Sequence, residues 1–294
     1  MFQIGELPDP KPSAGEVVVD IHAASINAAD WKVRSGDYAK INDFPYILGR
    51  DFSGVVAELG AGVDGLAIGD AVFGVLDAGQ EGAYAEKVAV KASIIARKPE
   101  HWSHEEAVSL ALTGLTAIVS IEDTLKLQPD ETILIQGGAG GVAGFGIQLA
   151  KHIGATVITT ASEANHAYVR GLGADRVIDY RNENFADILT NIDAVFETVG
   201  GDVAQRSYDV LKPGGRAAFI ASGANAPPTR RSDATGYRPN VGRDRRFMER
   251  VIELIDAGAV QLPDIRTFPL SEVAEAHRVS EARHLRGKLI LTVR

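Results

Sequence analysis

The 294-residue sequence contains no cysteine. That excludes disulfides, thiolate zinc sites and a cysteine nucleophile, and it fits a reducing compartment. The N-terminus lacks the basic and apolar blocks of a signal peptide, and no apolar run in the sequence reads as a membrane span. A soluble cytoplasmic protein with no membrane partner is the expectation. Excess positive charge is also missing: 30 Lys and Arg against 39 Asp and Glu give a formal charge of -9, which argues against a nucleic-acid surface. No repeat or low-complexity segment is visible. The composition, 45% hydrophobic and 23% charged, is that of a globular chain, and its length favours two domains.

What is present centres on Glu131 to Thr160, ETILIQGGAGGVAGFGIQLAKHIGATVITT. An apolar run, Thr132 to Ile135, leads into Gly137-Gly138-Ala139-Gly140-Gly141. Val142, Phe145, Gly146, Leu149 and Ile153 follow at helical spacing, and a second β-branched run spans Thr156 to Thr160. Strand, glycine turn, helix and strand within about thirty residues make the βαβ unit of a dinucleotide-binding fold. In this reading Gly138 permits the tight turn, Gly140 lets a pyrophosphate approach the backbone, and the small Ala143 lets helix and strand pack closely. Phosphates would lie on the N–H groups at the helix start, among Gly138, Ala139, Gly140, Gly141 and Val142. No Gly-Lys-Ser/Thr follows the turn, so it is not a Walker A loop.

The rest of the chain divides in texture. Glu16 to Ala23 alternates as a strand, and the recurrent glycines between Gly54 and Gly82 read as an all-β region. The stretch from Ser25 runs through a loop to Tyr46. Ser103 with Glu105 and Glu106 marks a helix start. Strands are expected at Arg176–Asp179, Ile192–Glu197 and Arg216–Ile220, with helices near Ala164–Leu172 and Gly201–Leu211, an alternation that implies a parallel sheet. A polar loop at 222–243, a helix from Arg245 to Ala257 and a strand at Gly287–Val293 complete the chain.

Six stretches together resemble the medium-chain dehydrogenase/reductase superfamily, in its zinc-free quinone oxidoreductase and enone reductase branch: SINAADWKVRSG from Ser25, Pro45 to Val56, LTGLTA from Leu112, Gln136 to Lys151, LGADRVIDY from Leu172 and RGKLILTV from Arg286. The resemblance implies an α/β chain with a Rossmann-type doubly wound parallel sheet plus a GroES-like β-rich domain. The β-rich domain would comprise 1–106 with 245–294 and the Rossmann domain 107–244, with the active site in the cleft between them. It further implies an NADPH-dependent reduction of a quinone or an α,β-unsaturated carbonyl, with a non-catalytic NADPH-binding sensor or structural protein as the alternative. Zinc-dependent relatives bind metal through a cysteine and a Gly-His-Glu. Here the matching positions are Asn27 and Gly49-Arg50-Asp51, so no metal is expected and the seven histidines read as surface or structural. The family carries one more β-strand before the region of Gly5. Met1 lies almost inside it, which leaves two readings, a shortened start or a β domain without that edge strand.

By the same resemblance Tyr46 would polarise a substrate carbonyl, Asn27 would orient substrate or cofactor, and Lys32 would stabilise a developing enolate. Thr116, Thr198, Ser222 and Tyr180 match cofactor-lining positions. The second strand ends Thr160-Ala161-Ser162 without the acid of NAD enzymes, which favours NADP. Ser162-Glu163-Ala164-Asn165 keeps Ser162 and Asn165 of the phosphate motif but lacks its cation, leaving Arg283 and Arg181 as candidates. The arginines of the 222–246 loop read as solvated. A homodimer is implied, with sheets joined through Tyr237–Val241.

Overall fold

The computed structural model describes residues 2–38, 41, 43–77, 79–229 and 231–294. Parts of the loop before Tyr46 (Ala39, Lys40, Asn42), of the glycine-rich region (Ala78) and of the polar loop (Arg230) thus lie outside the described residues. The chain divides into two compact units. One comprises Met1–Leu112, Gly242–Glu253 and Leu262–Arg294; the other comprises Thr113–Val241 and Leu254–Gln261.

The first unit is built on β1 (Glu16–Ile26), β2 (Asp51–Leu59), β3 (Ala71–Val75), β4 (Lys87–Lys91) and β5 (Ile95–Arg97), joined by β12 (Ile265–Pro269) and β13 (Lys288–Thr292) from the C-terminal segment. β6 to β11 belong to the second unit. The sheet order is β12-β13-β1-β2-β3-β5, with β4 also on β1. β1 is long enough to pair with β4 through Glu16–Asp20 and with β13 through Ala23–Ile26 along one edge, while β2 takes the other. Val17, Val19, Ile21, Phe52, Val72, Leu289 and Leu291 alternate inward to form its core. Helix α1 (Ala28–Ser35) starts after Asn27 and stops at Gly36, whose φ of 85° is the left-handed closure that glycine tolerates. It covers ground that the sequence reading left unassigned.

Helix α2 (His104–Ile118) has the capping box its sequence announces. The Ser103 N–H donates to Glu106 Oε2 at 2.7 Å, and the Glu106 N–H to Ser103 Oγ at 3.1 Å. A π-helical turn, Val119–Thr124, prolongs it. The whole run of 21 residues is long and apolar enough to cross a membrane, which the sequence reading did not anticipate; 78% of its apolar window is buried in the protein, as for a core helix.

The second unit contains β6 (Thr132–Ile135), β7 (Thr156–Ala161), β8 (Arg176–Asp179), β9 (Ile192–Glu197), β10 (Leu211–Phe219) and β11 (Thr235–Tyr237) in the order β11-β10-β9-β6-β7-β8. Every neighbour pair is parallel, which gives the doubly wound order with its switch point beside β6. Ile133, Leu134, Ile135, Val195 and Phe196 are wholly buried, as strands covered on both faces must be. The connecting helices are α3 (Gly141–Ile153), α4 (His166–Gly171), α5 (Phe185–Ile188) and α6 (Gly201–Arg206). α4 is shorter than expected because a 3-10 turn, Glu163–Asn165, precedes it. α6 ends at Arg206 because the chain must already turn at Ser207–Val210 to enter β10. The segment read as a polar loop contributes β11, ending at Tyr237 rather than running from it. Helices α7 (Arg245–Asp256) and α8 (Val273–Glu281) complete the chain.

Gly54 in β2 faces β1 so closely that a Cβ there would stand 2.0 Å from the Asp20 carbonyl oxygen. Gly54→Ala should therefore destabilise the protein by about 1–3 kcal/mol, lowering the melting temperature by roughly 2–4 °C per kcal/mol for chains of some 200 residues. Scanning calorimetry of wild type and variant measures this; an unchanged melting temperature would contradict the packing described.

Candidate active site

The glycine turn connects β6 to α3 at the carboxyl edge of the parallel sheet. Gly137 has φ +71°, so the tight turn rests on Gly137 and not on Gly138. Gly138 serves a different need: a Cβ on it would meet Thr159 Oγ1 of β7 at 2.2 Å. Gly140, the N-cap of α3, has open space where a side chain would project, the nearest atom being the Gly137 oxygen at 3.5 Å. The first N–H groups of a helix have no intrahelical acceptor, and at α3 they follow directly on this glycine. The cradle therefore fits a pyrophosphate. Ala143 is buried, as the packing of α3 on the sheet requires.

Side chains hold the turn from both neighbouring strands. Thr160 Oγ1 accepts the Gly137 N–H at 3.0 Å and donates to Gln136 Oε1 at 2.8 Å. Thr198 Oγ1 donates to the Gln136 carbonyl at 2.8 Å. Glu197, fully buried, accepts the N–H groups of Val199 and Gly200 at 2.6 and 2.7 Å and shapes the loop after β9. Thr198 is thus brought to the turn, whereas Gln136 and Glu197 were missed. A polar residue ending a buried apolar strand was the available signal.

At the end of β7, Asn165 Nδ2 donates to Ser162 Oγ at 3.3 Å, so these two predicted residues meet. Tyr180, half exposed after β8, carries the Arg181 guanidinium over its ring at 5.9 Å. Arg283 belongs to the β-rich unit, where it lies 5.4 Å over the Trp31 ring with φ +56°. Thr116 is buried in α2 and its carbonyl accepts the Ser120 hydroxyl. Ser222 is partly exposed and donates to the Asn225 carbonyl. Four arginines of the 222–246 loop correct their reading as solvated, while Arg246 is exposed and Arg230 lies outside the described residues. Arg231 donates to the carbonyls of Tyr208 and Leu211, Arg238 to Phe219 and Gly223, Arg243 to Leu76, and Arg245 to Ala92 and Ile95. Guanidinium groups satisfy carbonyls that a loop otherwise leaves unpaired.

The predicted catalytic residues all fall in the β-rich unit. Asn27 is engaged at both ends of its amide: Nδ2 donates to Asp51 Oδ1 at 2.8 Å, and Oδ1 accepts from Lys288 Nζ at 2.8 Å. Asp51 also accepts from Ser25 Oγ at 2.7 Å and from the Leu112 N–H. Lys288 donates a second bond to the Ile26 carbonyl at 3.0 Å. Lys288 and Asp51 are both buried. Burial pushes the carboxyl up and the ammonium down from their ordinary values, each countered by the other's charge. Lys32, at the end of α1, has its ammonium 5.6 Å from the Trp31 ring centroid. Tyr46 is 38% exposed, and burial together with the Glu81 carboxylate beside it raises its hydroxyl pKa.

Residues 13–100 match the alcohol dehydrogenase GroES-like domain family, and residues 172–291 match the zinc-binding dehydrogenase family. The chain is similar to the chloroplastic NADPH-dependent alkenal/one oxidoreductase of Arabidopsis thaliana, 33% identical over 96% of this chain and 73% of the relative. Among solved structures it is similar to the quinone oxidoreductase from Coxiella burnetii, 35% identical with TM-score 0.87 over 98% of this chain and 93% of that one. The chain belongs to the medium-chain dehydrogenase/reductase superfamily, zinc-free quinone and enone reductase branch. The Escherichia coli quinone oxidoreductase complexed with NADPH superposes with TM-score 0.89 at 27% identity, over 98% of this chain and 95% of that one.

Within this superfamily the zinc positions are the informative departure. Asn27, Arg50 and Asp51 stand there, and all three are committed: Asn27 bridges Asp51 and Lys288, and Arg50 pairs with Glu81 Oε1 at 2.9 Å. Among the described residues no group of three or more His, Asp or Glu could hold a metal. The Lys288 ammonium supplies the positive charge that Asp51 needs. Its sequence signal was a lysine opening an otherwise apolar strand. Lys288→Met leaves Asp51 buried without its cation, so it should cost about 3–5 kcal/mol. Replacing both, Lys288→Met with Asp51→Leu, should cost less than the single change. Chemical denaturation of the three proteins tests this; a single variant as stable as wild type would show that the pair is not what orders this corner.

Proposed function

We propose that this protein is a zinc-independent oxidoreductase that reduces a quinone or an α,β-unsaturated carbonyl compound with NADPH. The observation that carries the reading is the glycine cradle at the switch point of the parallel sheet, together with Ala161 and Ser162 where an NAD enzyme would present an acid. The names of the similar proteins, an NADPH-dependent alkenal/one oxidoreductase and quinone oxidoreductases, point the same way. Bound NADPH would supply the hydride. Gly140 and the N–H groups opening α3 would hold its pyrophosphate, and Ser162 with Asn165 would receive the 2′-phosphate. On the substrate side, the exposed Tyr46 hydroxyl would bond the carbonyl oxygen and the Lys32 ammonium would favour the enolate that forms. Asn27, with both amide ends engaged, would act by fixing the α1 start rather than by touching substrate. A cytoplasmic homodimer completes the reading, its support being the short edge strand β11 with Tyr237 exposed.

Steady oxidation of NADPH in the presence of a quinone and enone panel tests the function, and metal chelators should leave the rate unchanged. Saturable NADPH binding without turnover on any acceptor would favour the non-catalytic alternative. Cofactor choice has its own test. Ala164 stands where relatives carry a cation, and Glu163 is its neighbour. A charge-assisted hydrogen bond contributes about 1.5–3 kcal/mol, and each 1.4 kcal/mol is roughly tenfold in affinity. Ala164→Arg should therefore raise the NADPH/NADH affinity ratio by about ten- to a hundredfold. Titration of both cofactors into wild type and variant measures it; an unchanged ratio would remove this turn as the phosphate site.

A further inference from the structure

Asp30 sits at the third position of α1 and is wholly buried. Its Oδ2 accepts two hydrogen bonds, from the Asn27 N–H at 2.7 Å and the Tyr84 hydroxyl at 2.8 Å. Its Oδ1, also buried, accepts none among the described residues; the nearest cation is Arg50 Nε at 3.6 Å. A buried carboxylate oxygen without a donor is costly as an anion. Burial accordingly pushes the Asp30 pKa up to about 7. Arg50 turns mainly to Glu81, with Nη2 at 2.9 Å and Nε at 3.1 Å from Oε1, and its guanidinium lies 4.9 Å over the Tyr38 ring. Glu81 in turn stands beside the Tyr46 hydroxyl, whose acidity feels Glu81, Arg50 and Asp30 together.

We propose that Asp30 is a positioning residue for proton transfer: its protonation state sets how far Arg50 is committed to Glu81, and through that pair how readily Tyr46 gives up its proton. The inference rests on the enone-reductase reading above. When Asp30 is protonated, Arg50 serves Glu81 alone and the negative field at Tyr46 is weakest, so the phenol is the better acid. When Asp30 ionises, Arg50 is shared, a negative charge is added nearby, and the phenol holds its proton more tightly. In the reaction a C–H bond forms at the β-carbon from the hydride. The enolate oxygen then takes the Tyr46 proton, forming an O–H bond as the phenol O–H breaks, and the phenolate recovers a proton from solvent. The enol so formed tautomerises to the carbonyl compound, its α-carbon gaining a proton from solvent as its O–H gives one up. NADPH and one proton are consumed for each carbonyl compound produced.

Two neighbours of Asp30 keep one protonation state near neutral pH. Tyr84, just before β4, is held well above its ordinary pKa by burial and stays a hydroxyl. His277 from α8, 3.4 Å from the Tyr84 oxygen, is pushed down to about 4 by burial and stays neutral. Asp51 of β2 and Lys288 of β13 interact with each other. Burial also raises the Glu81 and Asp51 carboxyls, each countered by the cation beside it, Arg50 and Lys288, whereas burial carries Asp30 up to about 7.

The test is the pH profile of kcat with NADPH and a cyclic enone. Wild type should show a step centred near pH 7, the acid side faster by roughly three- to tenfold, since a tenfold change in acid strength passes only partly into rate. Asp30→Asn should flatten the profile, Asp30→Glu should restore a step, and Tyr84→Phe should move the midpoint to higher pH by removing a bond to the ionised carboxylate. A step that persists unshifted in Asp30→Asn and Tyr84→Phe, or no step in an active wild type, would overturn the proposal. A second arm needs no turnover. Tyrosinate absorbance, assigned to Tyr46 by subtraction of Tyr46→Phe, should titrate at lower pH in Asp30→Asn than in wild type; an identical titration would also overturn it. Absence of turnover on every acceptor would instead defeat the enone-reductase reading, with the tyrosinate arm still deciding the coupling.

Discussion

A buried ammonium is the constraint on which the β-rich unit depends. Lys288 opens β13, and a cation there is tolerated only if anions and carbonyls meet it. Asn27 at the start of α1 and the Ile26 carbonyl at the end of β1 accept its hydrogen bonds, and Asp51 at the start of β2, bonded to Asn27, supplies the opposing charge. One charge therefore fixes where three elements begin or end, and it ties the last strand of the chain to the first. The antiparallel register of Ile26 with Leu289 places the lysine beside its partners. The same arrangement occupies the positions at which zinc-dependent members of the family carry metal ligands. Arg50 there is paired with Glu81, and the charge of Asp51 is countered by Lys288.

Around this corner the polar groups form two linked sets. Ser25, Asn27, Asp51 and Lys288 are structural and inward. Asp30, Tyr84, Arg50 and Glu81 lead from the interior to the exposed Tyr46. α1 joins the sets, because Asn27 caps it and Asp30 returns a bond to the Asn27 N–H. A short helix thus positions the candidate proton donor's neighbours as much as any loop does. In the second unit the equivalent constraint is closeness of backbones. A Cβ on Gly138 would collide with Thr159 and one on Gly137 would crowd Thr198, so the turn is pressed between β7 and the loop after β9. The N–H groups of Gly137, Gly138 and Gly140 are spent on Thr160 and Gly137 within the fold, which leaves the N–H groups opening α3 for a phosphate.

The sequence by itself determined what local chemistry dictates. The βαβ unit around Gly137–Gly141 was legible because strand, glycine run and helical spacing lie within one short stretch. β8 and β9 appear at their expected bounds, Arg176–Asp179 and Ile192–Glu197, the second because a central parallel strand is largely an apolar run. The Ser103–Glu106 capping box needs only three residues of spacing. The absence of cysteine removed thiolate metal ligation before any coordinate. Tertiary structure decided the rest, because the partners are far apart in the chain. Asn27 and Lys288 are 261 positions apart, and no periodicity reports that pairing. Arg231, Arg238, Arg243 and Arg245 read as solvated because nothing local offers them acceptors; folding brings them carbonyls from elsewhere in the chain. The turn falls on Gly137 because β7 already fills the space behind Gly138, and the unusual acidity of Asp30 exists only where burial leaves one of its oxygens without a donor.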